Sequence, residues 1–403
     1  MNIMEMLNRS LIAVDAYTKA HRTLSKENTG NVLLVFQQAF GDAIVLQNSL
    51  DEYIKLFSKN EGYNITLILQ PSVLKFMRKC LPLPSEIKYE SVDFKLFLSN
   101  YAYYRKTVKK YRNNYSTVIV PGASLSGEIF AAASGAQRKI GLVRSIPVHK
   151  PFVMSIFPKI AFTERVTPNK EDMMLMRHKK LINYLWKVKT GKQGNYKAEL
   201  PQLIPKKRII DGHYAVICPG ASKSEKCWPI DRFAEIANYL ISEYNLEVNI
   251  CGGSGEKHFA NILMENTRYK EKIISHIGKT SFSEWSAIVQ HADLVVGNDS
   301  ATMHLAAAAR VPAVCITGVY DKYQFFPYQV DRLNPGDILP VTVMKDVPCE
   351  WCRTIGYDAG YGNKDCKKRI KSGLCAACID LITVDEVESA IDKLMENVKI
   401  EAT

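Results

Sequence analysis

The stretch at residues 294–308 constrains the fold of this chain more than any other part of the sequence. It opens with a short apolar run of the kind found in parallel sheets that are covered on both faces. Gly297 and Asn298 tolerate the left-handed backbone conformation and therefore favour a sharp turn. Asp299 and Ser300 are favourable helix N-caps, and the small residues after them can lie close against a sheet. The pattern predicts a strand, a turn and a helix whose first amides face the carboxyl end of the strand.

A helix N-terminus in this position is where an open α/β sheet binds anionic ligands, because its amides are unpaired and its dipole is positive. We therefore regard Asp299, Ser300, Ala301 and His304 as candidate ligand-binding residues. The alternative is a capped helix in which His304 is satisfied inside the protein.

Strand and helix patterns alternate in two blocks along the 403 residues, a length typical of two domains. The first block begins with an apolar run at 31–36 and the second at 214–218, with a linker near 190–210. This alternation predicts an α/β protein with parallel sheets and right-handed crossovers. We expect an N-terminal domain that includes an N-terminal helix, a C-terminal domain, and a cysteine-rich segment with a C-terminal helix, at residues 1–200, 210–345 and 346–403.

The composition is that of an ordinary globular protein, with 47% hydrophobic and 23% charged residues. The chain has no uninterrupted apolar run of about 18 residues, the length that a membrane-spanning helix needs. Its first thirty residues carry too many charged side chains for a signal peptide, so we expect the cytoplasm as its compartment. They predict an amphipathic helix, with Ile3, Met6, Leu7, Leu11 and Val14 near helical spacing. We expect this helix to pack on its own domain; the alternative is that it lies on a membrane.

The formal net charge of +12 favours anionic partners, such as nucleotides, a phosphorylated glycolipid or an anionic membrane surface. A nucleic-acid partner is not expected, because the sequence has no recognised binding motif and no aromatic platform pattern. The basic run at residues 104–112 is either a solvated helix face or a site for the phosphates of an acceptor.

Two further turns follow apolar strands. After the run at 31–36, Gly41 permits a close backbone approach and Asp42 falls at the start of a helix, where it is either a cap or a group facing the strand ends. A G-x-G-x-x-G pattern is absent here, which argues against an ordinary dinucleotide site. In the second block, a glycine turn with Ser222 and Lys226 precedes another helix, an arrangement that suits phosphate.

The segment at 278–318 carries three patterns in succession: G-x-T-x-x-x-E from Gly278, V-G-x-D-S-A-x-x-H-x-A-A from Val296, and P-x-V-x-x-x-G from Pro312. At this spacing the segment resembles the heptosyltransferases of glycosyltransferase family 9. The resemblance is close over residues 214–318 and looser over the rest of the two blocks. It implies the GT-B architecture, in which two doubly wound Rossmann-like domains face each other across a cleft.

The resemblance also implies an inverting glycosyltransferase that uses no metal for catalysis. The expected donor is ADP-heptose, and the expected acceptor is a hydroxyl of an anionic glycolipid or polysaccharide. Asp42 would act as the general base, and Lys226 and Ser222 would contact the donor diphosphate. The glycines after the strand at 248–251 would let the nucleotide lie close to the backbone. The donor-binding set is Ser222, Gly252, Gly253, Asp299, Ser300, Ala301 and His304.

Other functions stay open at this point. The chain could transfer a sugar from another nucleotide sugar, or be an epimerase or hydrolase of sugar nucleotides on the same fold. It could also be a non-catalytic assembly protein whose functional centre is its cysteine cluster.

Five of the ten cysteines cluster near the C-terminal end. Two C-x-x-C pairs in a chain expected to stay reduced are typical of a structural metal site, with zinc or iron as the metal. Disulfide or redox use and incidental thiols are the alternatives. The predicted ligands are Cys349, Cys352, Cys375 and Cys378, with Cys366 as a spare or a replacement for one of them.

Overall fold

The computed structural model describes residues 3–20, 30–143, 159–319, 324–345, 347, 366 and 370–401. The chain forms two compact units, of which the first comprises Met1–Arg78 with Pro82–Ala198 and the second Lys79–Leu81 with Glu199–Thr403. Each unit contains its own parallel sheet, as the alternating strand and helix patterns predict.

The sheet of the first unit has six parallel strands in the described residues, in the order β3-β2-β1-β4-β5-β6. This is the doubly wound order, in which the chain direction across the sheet reverses between β1 and β4. The strands are β1 (Asn31–Phe36), β2 (Asn64–Leu69), β3 (Ile87–Ser91), β4 (Thr117–Val120), β5 (Arg138–Leu142) and β6 (Glu164–Val166). All but the first residue of β1 are buried, because helices cover both faces of a parallel sheet.

Helices of the same part of the chain are α1 (Ile3–Ala20), α2 (Phe40–Gln47), α3 (Leu50–Leu56), α4 (Pro71–Cys80), α5 (Phe94–Ser99), α6 (Tyr101–Tyr111), α7 (Leu125–Ala133) and α8 (Met174–Thr190). The predicted N-terminal helix is confirmed as α1, but its apolar periodicity indicates the wrong face. Ile12 and Ala16 are the buried residues that pack toward α5, α6 and α7, whereas Leu7, Leu11 and Val14 are exposed. Small residues such as Ala16 let the helix approach α7 closely, which a leucine at that position would prevent.

The second unit repeats the same topology, with the order β12-β11-β10-β7-β8-β9 in the part of the chain that the structure describes. The strands are β7 (Tyr214–Cys218), β8 (Glu247–Ile250), β9 (Ile273–Ser275), β10 (Leu294–Asn298), β11 (Ala313–Ile316) and β12 (Val341–Val343). All pairs are parallel, and the direction of winding reverses between β7 and β10.

Helices of the second unit are α9 (Ile230–Tyr244), α10 (Lys257–Asn266), α11 (Phe282–Gln290), α12 (Ala301–Ala309), α13 (Ala377–Asp380) and α14 (Val384–Glu401). The described part of the segment at 346–403 shares a hydrophobic core with this sheet. Ile379, Ile382, Val387 and Ile391 lie in one buried cluster with residues of β7, β8 and β11. Cys349 and Cys352 lie outside the described residues.

Among the helices that the structure describes, each is too short or too polar to cross a lipid bilayer.

Candidate functional site

The reversal point of the second sheet brings together two loops that are far apart in sequence. β7 and β10 are neighbours in parallel register, with Gly297 paired to Cys218. Because parallel strands end at the same edge of a sheet, the residues after Cys218 meet those at the end of β10. In open α/β sheets this edge, at the reversal point, is where ligands bind.

Gly297 and Asn298 belong to β10 itself, so the prediction that they form a turn is wrong. A Cβ atom on Gly297 would lie 2.5 Å from the carbonyl oxygen of Cys218, so glycine is required by the close approach of β7. Local sequence preference favours a turn here, but pairing with a strand about 80 residues earlier sets the backbone conformation of these two residues.

Asn298 fixes both ends of the loop at 219–228. Its buried side chain accepts a hydrogen bond from the Trp228 backbone N–H (3.0 Å) and donates one to the Pro219 carbonyl oxygen (2.6 Å). A buried amide with both of its groups bonded holds its partners in one arrangement. This role was not predicted from the sequence, although a polar residue at the end of a buried strand is a signal for it.

Lys226 and Asp299 are brought together by this arrangement. Lys226 ends a single 3₁₀ turn (Ser224–Lys226) in the loop, and its Nζ lies 3.7 Å from Asp299 Oδ2. Their side chains are only 7% and 6% exposed, so the two charges form a buried ion pair. Ser222, by contrast, is exposed in the same loop.

The helix after β10 begins as predicted, with Ser300 as N-cap and Ala301 as the first helical residue of α12. The Ser300 side chain makes no capping hydrogen bond. Within the described residues, its buried Oγ and the buried Oγ1 of Thr317, which directly follows β11, have no hydrogen-bond partner. Since buried polar atoms in native proteins nearly always have partners, these two hydroxyls are suited to a bound ligand.

His304 lies in the second turn of α12 and is buried. Its Nδ1 is 3.1 Å from the Tyr328 hydroxyl, and the rings of Phe325, Phe326 and Tyr328 surround it at centroid distances of 5.3–5.6 Å. Burial, together with the nearby charge of Lys226, lowers the pKa of His304 to about 3. The imidazole is therefore neutral at pH 7 and serves as a hydrogen-bonding group. Its Nδ1 bonds the Tyr328 hydroxyl, which leaves Nε2 for a further hydrogen bond.

Glu256 is a further polar group at this edge that sequence reasoning missed. It follows the glycine turn after β8, and its Oε2 accepts a hydrogen bond from the Gly253 N–H (2.7 Å). A Cβ on Gly220 would lie 2.0 Å from Glu256 Oε1, and one on Gly252 would lie 2.4 Å from Oε2. The glycines thus make room for the Glu256 carboxylate. Burial raises the pKa of this carboxylate. A carboxylate in this position of a doubly wound sheet suits the hydroxyls of a ribose.

Asp42 lies in the first unit, in the first turn of α2, which follows the carboxyl end of β1 after a short loop. It is buried, and its Oδ2 accepts a hydrogen bond from the Ala39 N–H (3.2 Å). The adjacent strand β4 leads to Ser126, whose hydroxyl donates to Gln37 Oε1 (2.7 Å). Asp42 therefore stands at the reversal point of its own sheet, as Asp299 does in the second unit.

The described part of the cysteine-rich segment is hydrogen-bonded to the loop that carries Lys226. The Ala376 N–H donates to the Glu225 carbonyl (3.0 Å), and the indole N–H of Trp228 donates to the Ile382 carbonyl (2.9 Å). Arg232 Nη1 donates to the carbonyls of Asp380 (2.6 Å) and Ile382 (2.8 Å).

Cys366, Cys375 and Cys378 are buried in the core of the second unit. Among the residues that the structure describes, no group of three or more His, Cys, Asp or Glu side chains is placed to hold a metal. The other two predicted ligands lie outside those residues.

Comparison with known families decides the identity of this arrangement. The sequence model of glycosyltransferase family 9 (heptosyltransferase) matches residues 104–336, more than half of the chain. The chain belongs to glycosyltransferase family 9. The match includes Lys226, Asp299, Ser300 and His304.

Curated relatives of this family 9 protein include lipopolysaccharide heptosyltransferase 3 of Escherichia coli (strain K12), which is 32% identical over 119 residues. That alignment spans 30% of this chain and 35% of the relative, so the chain matches about a third of the relative's length.

Solved structures resemble it over most of its length. The E. coli ADP-heptose LPS heptosyltransferase II has a TM-score of 0.61 at 16% identity, covering 91% of this chain and 99% of that one. A dodecameric iron-containing heptosyltransferase, TibC, in complex with ADP-D-β-D-heptose, has a TM-score of 0.52 at 15% identity, covering 93% and 78%. These likenesses confirm the predicted α/β, GT-B-type fold of the family 9 protein.

Proposed function

We propose that this family 9 protein is an inverting glycosyltransferase that transfers heptose from ADP-heptose to a hydroxyl of an anionic glycolipid or polysaccharide. The observation that carries the proposal is the buried Lys226–Asp299 pair beside the first turn of α12. A lysine, the amides of a helix N-terminus and the unpartnered hydroxyls of Ser300 and Thr317 suit a diphosphate, and a carboxylate suits sugar hydroxyls. Relatives named as lipopolysaccharide heptosyltransferases support the donor and the acceptor.

In the proposed reaction, the acceptor hydroxyl oxygen attacks the anomeric carbon from the side opposite the diphosphate. The bond from that carbon to the diphosphate oxygen breaks, and ADP leaves with the electron pair. Asp42 takes the proton of the attacking hydroxyl, which is general-base catalysis. Because attack and departure are on opposite faces, the configuration at the anomeric carbon inverts.

The negative charge that develops on the departing ADP needs stabilisation in a site that excludes water. We assign this to Lys226 and to the backbone amides of Ser300 and Ala301, with Ser222 as a further hydroxyl contact. These groups supply the charge for which other transferases use a divalent cation, so we propose that catalysis needs no metal. His304, neutral at pH 7, would donate or accept a hydrogen bond from the donor without adding charge.

The nucleotide portion of the donor would lie across the ends of β7 and β8. Gly252 and Gly253 leave the backbone accessible there, and Glu256 would accept the ribose hydroxyls. We propose that the enzyme works in the cytoplasm and that its acceptor is held at the inner face of the cytoplasmic membrane.

The experiment that tests the proposal is a thermal-shift panel of nucleotide sugars followed by a transfer assay. ADP-heptose and ADP are expected to raise the melting temperature more than UDP or GDP sugars at equal concentration, because binding to the folded state stabilises it. Transfer should require an acceptor. A shift of the melting temperature with UDP sugars alone would overturn the donor assignment. Release of the nucleotide at full rate without acceptor would indicate a hydrolase or epimerase. If no nucleotide sugar shifts the melting temperature, a non-catalytic protein is favoured.

We further propose that the cysteine cluster binds one structural metal, zinc or iron, through Cys349, Cys352, Cys375 and Cys378, with Cys366 as a replacement for one of them. Four thiolates are a ligand set that both metals accept. The name of TibC as an iron-containing heptosyltransferase makes iron as reasonable as zinc. The metal would hold a segment that hydrogen-bonds to the Lys226 loop, and it would take no part in the transfer step.

Cys352→Ser is expected to lower the metal content well below the roughly one zinc or iron per chain of the parent protein, and to lower the melting temperature. Preference for one donor over another should not change. Elemental analysis and thermal unfolding measure both effects. Cys80→Ser is the matched control, because it alters a buried thiol that bonds the Phe282 carbonyl (3.3 Å), and it should keep the metal. Metal-free parent protein of equal stability and activity would contradict the assignment.

A further inference from the structure

The helix α1 exposes an apolar surface. Six of its large apolar side chains are between 49% and 66% exposed, which is unusual for so many neighbouring residues of one surface helix. They are Met4, Met6, Leu7, Leu11, Val14 and Tyr17. Among residues 4–20, whose burial the structure describes, Ile12 and Ala16 are the two that are fully buried against the first unit. The six residues, called here the α1 stripe, are thus not used by the core.

The charged residues of α1 lie outside this stripe and pair with one another. Arg9 contacts Glu5 Oε1 at 2.7 Å, and Lys19 forms an ion pair with Asp15. At 100° per residue, these four side chains fall on the half of the helix that faces the unit. Among residues 4–20 of the helix, the outward half holds the α1 stripe together with only Ser10 and Thr18, so it carries no charge.

The positive charge of the protein is concentrated in the same half of the chain. Residues 1–198 contain 30 Lys and Arg against 14 Asp and Glu, whereas residues 199–403 contain 23 against 27. A difference of this size means that the first unit, and not the second, attracts anionic surfaces.

Part of this charge lies on the helix next to α1. α6 contacts α1, where Asn8 Oδ1 accepts from the Tyr101 N–H (3.4 Å) and Lys19 Nζ lies 5.8 Å from the centre of the Tyr104 ring. The exposed side of α6 carries a group of basic side chains. They belong to the basic run for which the sequence allows either a solvated helix face or a phosphate site. They are Arg105, Lys106, Lys109 and Lys110, the last of which pairs with Glu90.

We propose that the α1 stripe and the basic side of α6 together dock on an anionic lipid bilayer. The apolar side chains enter the interface between headgroups and acyl chains, and the lysine and arginine side chains meet lipid phosphates. An apolar helix face beside a basic surface is the combination that binds anionic membranes. The inference deepens the proposed function, on which it rests for the idea that the acceptor is membrane-borne, and it assigns the surface that approaches the membrane.

A second copy of the chain fits this surface less well. Stable interfaces bury about 800 Å² on each partner and involve about 20–30 residues a side, more than one six-residue stripe provides. Pairing two α1 helices would also bring together two copies of the most basic part of the molecule, and like charges oppose such an approach.

The test is flotation of the full chain with vesicles of phosphatidylcholine alone or with about a third phosphatidylglycerol. The parent chain should float with the anionic vesicles, and less so as salt increases. Leu7→Ser/Leu11→Ser/Val14→Ser should lower the partition coefficient by about tenfold or more. Ile209→Ser/Leu333→Ser, which changes exposed apolar residues of the second unit, should float like the parent.

A second variant, Arg105→Gln/Lys106→Gln/Lys109→Gln, should weaken binding to anionic vesicles and remove most of its salt dependence. The surface assignment is overturned if the parent chain does not float, or if the stripe variant floats as well as the parent. A stripe variant that changes from oligomer to monomer with unchanged flotation would assign the stripe to a second copy instead. Flotation needs no nucleotide sugar, so a chain that transfers sugar to a soluble acceptor without floating overturns this inference alone.

Discussion

Asp42→Asn is expected to lower the rate of sugar transfer by about a hundredfold or more, because the amide cannot take the proton of the acceptor hydroxyl. The change is nearly isosteric, and the amide oxygen can still accept the hydrogen bond from the Ala39 N–H that begins α2. Steady-state rates of ADP release at saturating donor and acceptor measure the effect. Affinity for ADP should be unchanged, since Asp42 belongs to the first unit and the donor residues to the second.

The control for this variant is Asp93→Asn, which alters another carboxylate of the first unit. Asp93 caps α5 by accepting from the Leu96 N–H (3.0 Å), a purely structural contact. Replacing it should change stability by about 1 kcal/mol or less and leave the turnover rate intact. Transfer by Asp42→Asn at nearly the parent rate would reduce Asp42 to a residue that orders the start of α2.

Lys226→Ala is expected to weaken ADP binding by about 1.5–3 kcal/mol, or roughly tenfold to a hundredfold in dissociation constant. The variant removes a charge-assisted contact to the diphosphate. It also removes the ion-pair partner of the buried Asp299 carboxylate, so the free energy of unfolding should fall as well. Isothermal titration with ADP and thermal unfolding measure the two effects.

Lys226→Met/Asp299→Asn separates these two effects. It replaces the buried ion pair by neutral side chains of similar size, so stability should largely return. The affinity for ADP should remain low, because the positive charge is still absent. Lys223→Ala, in the same loop but only partly buried, should bind ADP like the parent. If the double variant also regains ADP affinity, Lys226 holds the loop in place and does not contact the diphosphate.

The strands at the centre of both sheets were predictable because buried parallel strands are apolar on both faces. The runs at 31–36 and 214–218 match β1 and β7 residue by residue. The fold class follows from their alternation with helices. The positions of Asp299, Lys226 and His304 at one edge of the second sheet were predictable because turns after such strands face the ligand-binding edge, and their roles stay a prediction.

What the sequence did not reveal depends on contacts between distant residues. Asn298 looks like a turn residue until β10 is paired with β7, and then its side chain joins Pro219 to Trp228. Glu256 is recognised as a residue of this edge only in the structure, where its carboxylate fills the space above Gly220.

The orientation of α1 is a different case. Apolar residues occur around most of the helix, so periodicity predicts that it is amphipathic without indicating which side is buried.

The packing of the C-terminal segment sets the order in which the two units can complete their folding during synthesis. The core of the second unit unites Trp228 and Phe233 with Ile382, Val387 and Ile391, residues that leave the ribosome about 150 positions later. The last described strand of the first unit ends at Val166 and its last described helix at Thr190, so this unit can fold while the second is still being made. The nascent second sheet must therefore keep part of its apolar face uncovered until α14 arrives, and in this interval that face is open to aggregation.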